Sequence, residues 1–553
     1  MGRATVGALE PPGVCMSSTV VTRWSRPQDA SFTFPEQHLP LIQRTDATGV
    51  CFSGGGTRAQ CAAVGQLRAL SMLGLLADVR YISSVSGGSW GTAPFLWGDP
   101  GRRDEDLLGP HTRPEDITMD ALEAPIPTTC ILSTATTNLD AAMGDQRAVD
   151  TPTDRIWTEA VGAVYLAPFD LHNPQSPAFL TGSTKERDTI VARNPALADH
   201  PFLCARAPER LPYHVINSCI LGPAELEPFT DESPLSFETT PLYGGNPQRR
   251  EQLYFSKDGR WQEARLGGGY VESFALGSSQ LVSIDGANLV TVAAPTRPFT
   301  LADAVGTSSA AFAGVTASIS GLLRGLGSLT PTYTGWSLEA DAPSHHMAMG
   351  DGGVLENYGL LTLLRRQVQR VVVFINTSTA LDLDYDPEAC VPDTDQVDSF
   401  LPALFGFRHS SFGTALQNNQ VFAGADWAPL VRALQAARRD GRPVVHHTRH
   451  TVLENLVWGI DGGYEVEVLW CYLERVPQWE DRLPDDVGAA VDRGHRLFFK
   501  GELARFPHYK TAGQDSLADV HLSPEQARLL ADFTCETVQM DATIFADLLR
   551  RRT

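Results

Sequence analysis

Three times along the chain, a short unbroken apolar run gives way to a turn and then to helical spacing. Thr48–Phe52 (TGVCF) has the continuous pattern of a strand buried on both faces. Ser53, Gly54, Gly55 and Gly56 must turn after it, because three consecutive glycines sustain neither strand nor helix. Over residues 57–73, Ala62, Leu67, Leu70 and Leu73 recur near helical spacing, and Gly74 is the expected stop. Residues 79–85 (VRYISSV) form the second run, and residues 86–97 (SGGSWGTAPFLW) turn and open a second helix. The third unit is a strand at 346–349, a turn at Asp351, Gly352 and Gly353, a helix over 358–366 and a buried strand over 370–376 (RVVVFIN). Strands alternating with helices predict an α/β fold with a mostly parallel sheet covered on both faces.

Elsewhere the periodicity is weaker. Residues 1–45, rich in Pro, Ser, Thr and Gln, read as an N-terminal arm, and 46–553 as a single domain. Within it, about 99–210 and 380–470 carry many Pro, Asp and Thr and are expected to be insertions able to form a cap or lid. Gly267, Gly268 and Gly269 read as a flexible turn. Ser523, Pro524 and Glu525 open a predicted C-terminal helix.

The composition narrows the classes. A hydrophobic share of 42% and a charged share of 20% in 553 residues are those of an ordinary globular chain. The formal charge of −21, from 44 Lys plus Arg against 65 Asp plus Glu, argues against non-specific binding to nucleic acid or to strongly anionic membranes. Nine cysteines without CxxC pairs are expected to be mostly reduced. The first fifteen residues lack the apolar core of a secretory signal, and Val6 stands where a myristoylation signal has Ser or Thr, so a cytoplasmic location is expected. The apolar stretch at about 310–329 is diluted by Gly, Ser, Thr and Arg324, so any lipid contact is expected to be peripheral. Oligomeric state is not legible.

The turns carry the candidate chemistry. A serine hydroxyl becomes a nucleophile near neutral pH only with a base in hydrogen-bond reach and donors aimed at the developing oxyanion. Ser84, Val85, Ser86, Gly87, Gly88 is similar to the G-x-S-x-G nucleophile elbow, with Ser84 in place of the first glycine. The run Gly54, Gly55, Gly56 lets backbone N–H groups converge on one anion at a helix start. No Gly-Lys-Ser/Thr follows it, which excludes a Walker loop. Asp351 before two glycines is, alone, more often a turn-former than a base.

In this order, SGGGTRA, SVSGGSWGTA and DGGVLENYGL resemble the signature blocks of cytosolic phospholipase A2 and its patatin-like relatives. A fainter echo lies in LSFET at 235–239 and GTSSAA at 306–311. The resemblance implies a three-layer α/β/α patatin-like fold and a serine acyl hydrolase with a Ser-Asp dyad lacking histidine. Ser86 then matches the nucleophile and Asp351 the base. Gly55 and Gly56, with Gly54 in the same run, match the oxyanion hole, and Arg58 the arginine at the substrate site. The implied substrates are acyl esters of phospholipids or lysophospholipids, met at a membrane or lipid aggregate. No metal, cofactor or calcium dependence is implied.

An acyltransferase or neutral-lipid lipase would use the same dyad, and a non-catalytic lipid-binding scaffold would not need it. A Ser-His-Asp triad would draw on His345, His346, His446 or His447; the first two are adjacent, so on a strand they point to opposite faces. Asp382, Asp384 and Asp386 imitate the start of a calcium loop, but Pro387 and Asp393 replace its glycine and glutamate, so a solvated acidic loop is expected.

Overall fold

A computed structural model describes residues 18–25, 32–226, 234–255, 260–278, 280–286, 288–295, 297–313, 329–335, 345–389, 391–393, 395–407, 418–493, 503, 505–509 and 521–552. The leader and myristoylation reading of the first fifteen residues, and most of the apolar stretch at 310–329, lie outside these. Among the described residues no helix is long and apolar enough to cross a membrane.

In chain order the strands are β1 (Thr19–Ser25), β2 (Thr48–Phe52), β3 (Tyr81–Val85), β4 (Phe179–Thr181), β5 (Phe202–Cys204), β6 (Tyr213–Pro223), β7 (Leu235–Thr239) and β8 (Tyr243–Phe255). They continue with β9 (Trp261–Glu272), β10 (Leu281–Ile284), β11 (Leu289–Val292), β12 (Thr332–Gly335), β13 (His345–Asp351), β14 (Arg370–Ile375), β15 (Val445–Thr451) and β16 (Glu465–Tyr472). Fourteen join one sheet in the order β10-β11-β1-β9-β8-β7-β6-β3-β2-β14-β16-β15, with β13 on β6 and β12 on β13. The chain is therefore mixed α/β around a central sheet.

The expected parallel arrangement is confined to β6, β3, β2, β14 and β16. Every other pairing in this sheet is antiparallel, so it is not mostly parallel as a whole. The physical reason is local. Strands joined by short connections, such as the long β8–β9 ribbon, fold back on themselves, whereas parallel neighbours need crossovers, which the helical segments supply. The buried strands β2, β3 and β14 are those whose apolar pattern is unbroken. Gly267 and Gly268 lie inside β9 rather than in a flexible turn. Their φ values of 72° and 94° fall where the β8–β9 register shifts between Asn246 and Arg249, as at a β-bulge.

Helices Gly56–Met72, Gly87–Leu96, Leu360–Arg365 and Pro524–Met540 stand close to their predicted bounds. Ser523 caps the last, in a reciprocal box with Gln526. This helix buttresses Gly56–Met72: a Cβ on Gly65 would lie 2.1 Å from the Ala531 carbonyl oxygen, and Arg68 pairs with Asp532 at 2.7 Å. Within the segments read from sequence as arm and insertion, β1 sits between β9 and β11, and β15 and β16 extend the sheet beyond β14.

A buried ionic cluster ties the N-terminal segment to the helix that follows Asp351. Arg366 donates to Glu36 (2.9 Å) and Glu238 (2.6 Å), and Arg365 to Glu238 (2.7 Å), all with side chains 0–2% exposed. Removing one partner leaves a buried charge uncompensated, so Arg366→Met is expected to cost about 3–5 kcal/mol. Urea unfolding measures this; a loss below about 1 kcal/mol would show that the cluster relaxes to admit water.

Candidate active site

The site is built where two strands meet head on. β3 runs parallel to β6 and ends with Val85 opposite Asn217. β13 runs antiparallel along the same strand and ends with Asp351 opposite Ser218, the next rung. Their C-terminal ends therefore face each other, and the residues leaving them are Ser86 and Asp351.

Ser86 adopts φ 52° and ψ −125°, a conformation rarely open to a side-chain-bearing residue, between β3 and the helix Gly87–Leu96. This is the geometry of a strand-to-helix elbow. Its neighbours must be glycine: a Cβ on Gly87 would lie 2.0 Å from the Gly56 carbonyl oxygen, and one on Gly88 2.5 Å from that of Phe52. The elbow and the glycine run thus pack backbone against backbone.

Asp351 is 4% exposed and Ser86 9%. The Asp351 carboxylate accepts the Gly353 N–H at 2.7 Å and hydrogen-bonds the Ser86 side chain. Burial raises its pKa from 3.8 to about 7, opposed by those two hydrogen bonds. Among the described residues no histidine contributes to that shift. His346 contacts Thr334, and His446 and His447 lie on β15, the last strand of the sheet.

The glycine run is not uniform. Gly54 donates its N–H to the Asn357 carbonyl at 2.9 Å, which removes it from the expected oxyanion donors. Gly55 (φ 137°) and Gly56 (φ 61°) carry the turn into the helix Gly56–Met72, whose first N–H groups have no partner within the helix. Arg58 is 6% exposed, and its guanidinium donates to the carbonyls of Asn376 (3.0 Å) and Tyr509 (2.6 Å). Burial lowers its pKa to about 10. In the acidic loop, Asp382 and Asp386 accept the backbone N–H groups of Asp384 and Glu388, and Asp386 also faces Arg432.

Sequence reasoning passed over Asn357, which lies inside the third signature block. Its backbone carbonyl accepts from Gly54, and its side-chain amide oxygen lies 2.3 and 2.9 Å from where Cβ atoms on Gly54 and Gly353 would stand. It therefore bridges the glycine run and the Asp351 turn. Glu356 beside it accepts the Tyr358 N–H at 2.6 Å, and burial raises its carboxyl to about 7.

This arrangement of elbow, carboxylate and helix N-terminus can activate a serine. No protein-family model matches the chain. It is 47% identical over 75 residues to cytosolic phospholipase A2 delta of Homo sapiens, and 48% identical over 58 residues to cytosolic phospholipase A2 zeta of Mus musculus. Over these stretches the chain is similar to the cytosolic phospholipases A2. The two matches take in 14% and 10% of this chain and only 8% and 7% of those relatives. A solved structure of human GIVD cytosolic phospholipase A2 aligns with 92% of this chain and 63% of its own, at 14% identity and a TM-score of 0.46.

Proposed function

We propose that this chain is a phospholipase A or lysophospholipase that cleaves acyl esters through an acyl-serine intermediate on Ser86, with Asp351 as the base. The observation that carries this reading is the meeting of β3 and β13, which brings the Ser86 hydroxyl to a carboxylate titrating at about 7. A base near neutrality takes and returns a proton with little loss in either direction. Ser86 Oγ attacks the ester carbonyl while its proton passes to Asp351. The tetrahedral oxyanion forms against the N–H groups of Gly55 and Gly56, and the protonated Asp351 returns the proton to the leaving alcohol. Asp351 then deprotonates the water that frees the fatty acid.

An apolar cleft beside β13 supports a lipid substrate. Met347, Met349, Ile220, Phe237, Leu266 and Phe299 are in its wall. Met349 precedes Asp351 by two residues on the same face, roughly 7 Å along the strand, within reach of an acyl chain. We read the whole as a patatin-like three-layer domain whose cap is drawn from the segments at 99–210 and 380–470. Its location is cytoplasmic with peripheral contact at lipid aggregates. Two measurements test this: fluorophosphonate labelling read by peptide mass spectrometry, and fatty-acid release from phospholipid vesicles. Label on a serine other than Ser86, or no release from any phospholipid or lysophospholipid, would overturn it. Transfer of the acyl group to an added alcohol in preference to water would make it an acyltransferase.

Arg58 enters this reading as a brace of the glycine loop, since two carbonyls hold its guanidinium and a Cβ on Gly55 would lie 2.3 Å from it. Lys cannot reproduce that planar fork. Arg58→Lys is expected to lower kcat on a phospholipid and on a neutral p-nitrophenyl ester by a common factor of about 10 to 100. A much larger loss on the phospholipid would instead place Arg58 against the substrate, as the resemblance first implied.

A further inference from the structure

We propose that Ser308, at the end of the helix Leu301–Ser308, positions the nucleophile as the last link of a hydrogen-bond chain that starts at His214 and runs through Ser84 and Ser89. The proposal rests on the reading of Ser86 as nucleophile.

The direction of every bond in the chain follows from its two ends. The indole N–H of Trp97 can only donate, and it lies 3.1 Å from Nδ1 of His214. Neutral His214 therefore carries its proton on Nε2, which stands 2.9 Å from Ser84 Oγ and 3.2 Å from Thr92 Oγ1. His214 is buried, and burial lowers its pKa to about 3, so it stays neutral across the working range. At the far end, Ser308 spends its one hydrogen on the Asn217 carbonyl at 2.6 Å, because a carbonyl can only accept. The Ser89–Ser308 contact at 3.2 Å must then be donated by Ser89, and the Ser84–Ser89 contact at 3.0 Å by Ser84. Ser84 accepts from His214. Each hydroxyl in the series thus has one donor and one acceptor role filled, and one proton arrangement satisfies all of them.

The chain ends on the backbone that matters. Ser308 Oγ also accepts the N–H of Ser86 at 3.0 Å. That N–H has left the β3 ladder, because pairing stops at Val85, and the positive φ of Ser86 turns the peptide away from the sheet. Its acceptor has to come from elsewhere, and a hydroxyl whose own hydrogen is committed to Asn217 cannot rotate away. Two residues on, the Ala310 carbonyl accepts the N–H of Asp351 at 3.4 Å. One short segment therefore indexes both members of the dyad, across the rung where β3 and β13 meet. The chain also explains the departure at the elbow: Ser84 stands where the motif has glycine, and its hydroxyl links the imidazole to Ser89.

Ser308 touches no reacting atom in this scheme and acts through Ser86, so the test separates kcat from KM. Ser308→Ala is expected to lower kcat and the second-order rate of fluorophosphonate labelling together by about 10- to 100-fold. KM should stay within about twofold, and the midpoint of the pH profile should not move, because Asp351 keeps its surroundings. Ser84→Ala, which removes a link and leaves the Ser308–Ser86 bond, is expected to show a smaller loss of the same kind. Ser308→Thr, which keeps the hydroxyl, should recover most of the rate. Wild-type kcat and labelling rate in folded Ser308→Ala would overturn the proposal. If Ser308→Ala or Ser308→Thr fails to fold, Ser84→Ala decides: a loss in kcat with KM unchanged supports the chain, and an unchanged kcat sinks it. Failure of the nucleophile assignment is seen separately, as wild-type protein that takes up no label at Ser86.

Discussion

Ser86→Ala is expected to lose about 10⁴-fold or more in kcat on any ester, together with all fluorophosphonate labelling, while unfolding like the wild type. The loss is large because the covalent route disappears with the hydroxyl, leaving only what the oxyanion donors and substrate binding can do. The fold is unaffected because the atom removed is a single Oγ and the elbow's backbone is held by other residues. Ser308 still accepts the residue-86 N–H, and the Ser89 N–H still donates to the residue-86 carbonyl at 2.8 Å. Label that persists on a different serine in this variant would remove Ser86 from the mechanism.

Asp351→Asn is expected to lower kcat by about 10²- to 10⁴-fold, since the amide keeps the shape but cannot take the serine proton. In the wild type, kcat/KM should rise with pH through about 7, where the buried carboxyl ionises. A wild-type profile flat from pH 5 to 9 would refute that assignment. The same variant makes an opposite prediction for stability. The folded pKa of Asp351 lies above its unfolded value of 3.8, so the folded state binds the proton more tightly between these values. Its contribution is complete below about 4 and is lost as pH rises through 7. Beyond that, the buried charge costs up to about 4 kcal/mol. Asp351→Asn should therefore be more stable than the wild type at pH 8, with the difference fading toward pH 4. Urea titrations at the two pH values measure it, and a variant less stable at pH 8 would show that the carboxylate is better solvated than its burial implies.

Legibility in the sequence followed burial. β2, β3 and β14 were readable because strands covered on both faces carry unbroken apolar runs, and the helices between them because their stripes keep a 3.6-residue period. The turns holding Ser86, Asp351 and the glycine run were readable for a different reason. Backbone-on-backbone approach leaves glycine as the only solution at Gly87 and Gly88, and that leaves a mark in the letters. The ribbon β8–β9 and strand β1 were not readable. Half-exposed antiparallel strands interrupted by glycines and charges, as in WQEARLGGGYVE, mimic loops. Arg58 shows the other limit. Its place beside the glycines is visible in SGGGTRA, but the carbonyls it binds, from Asn376 and Tyr509, are far away in the chain.

The order of the strands also bears on how such a chain is made. β2 and β3 are made before their later neighbours: one edge of β2 waits for β14 and the edge of β14 waits for β16. An unfilled parallel edge is an invitation to the wrong neighbour, and contacts of this range are slow to form. By residue 351 both proposed dyad residues have been joined to the chain. The helix that presses on Gly65, and so on the start of the glycine loop, comes only with residues 524–540. A chain stalled between those two points would carry the proposed dyad without the frame that aims it. Competence of this kind waits for residues 524–540.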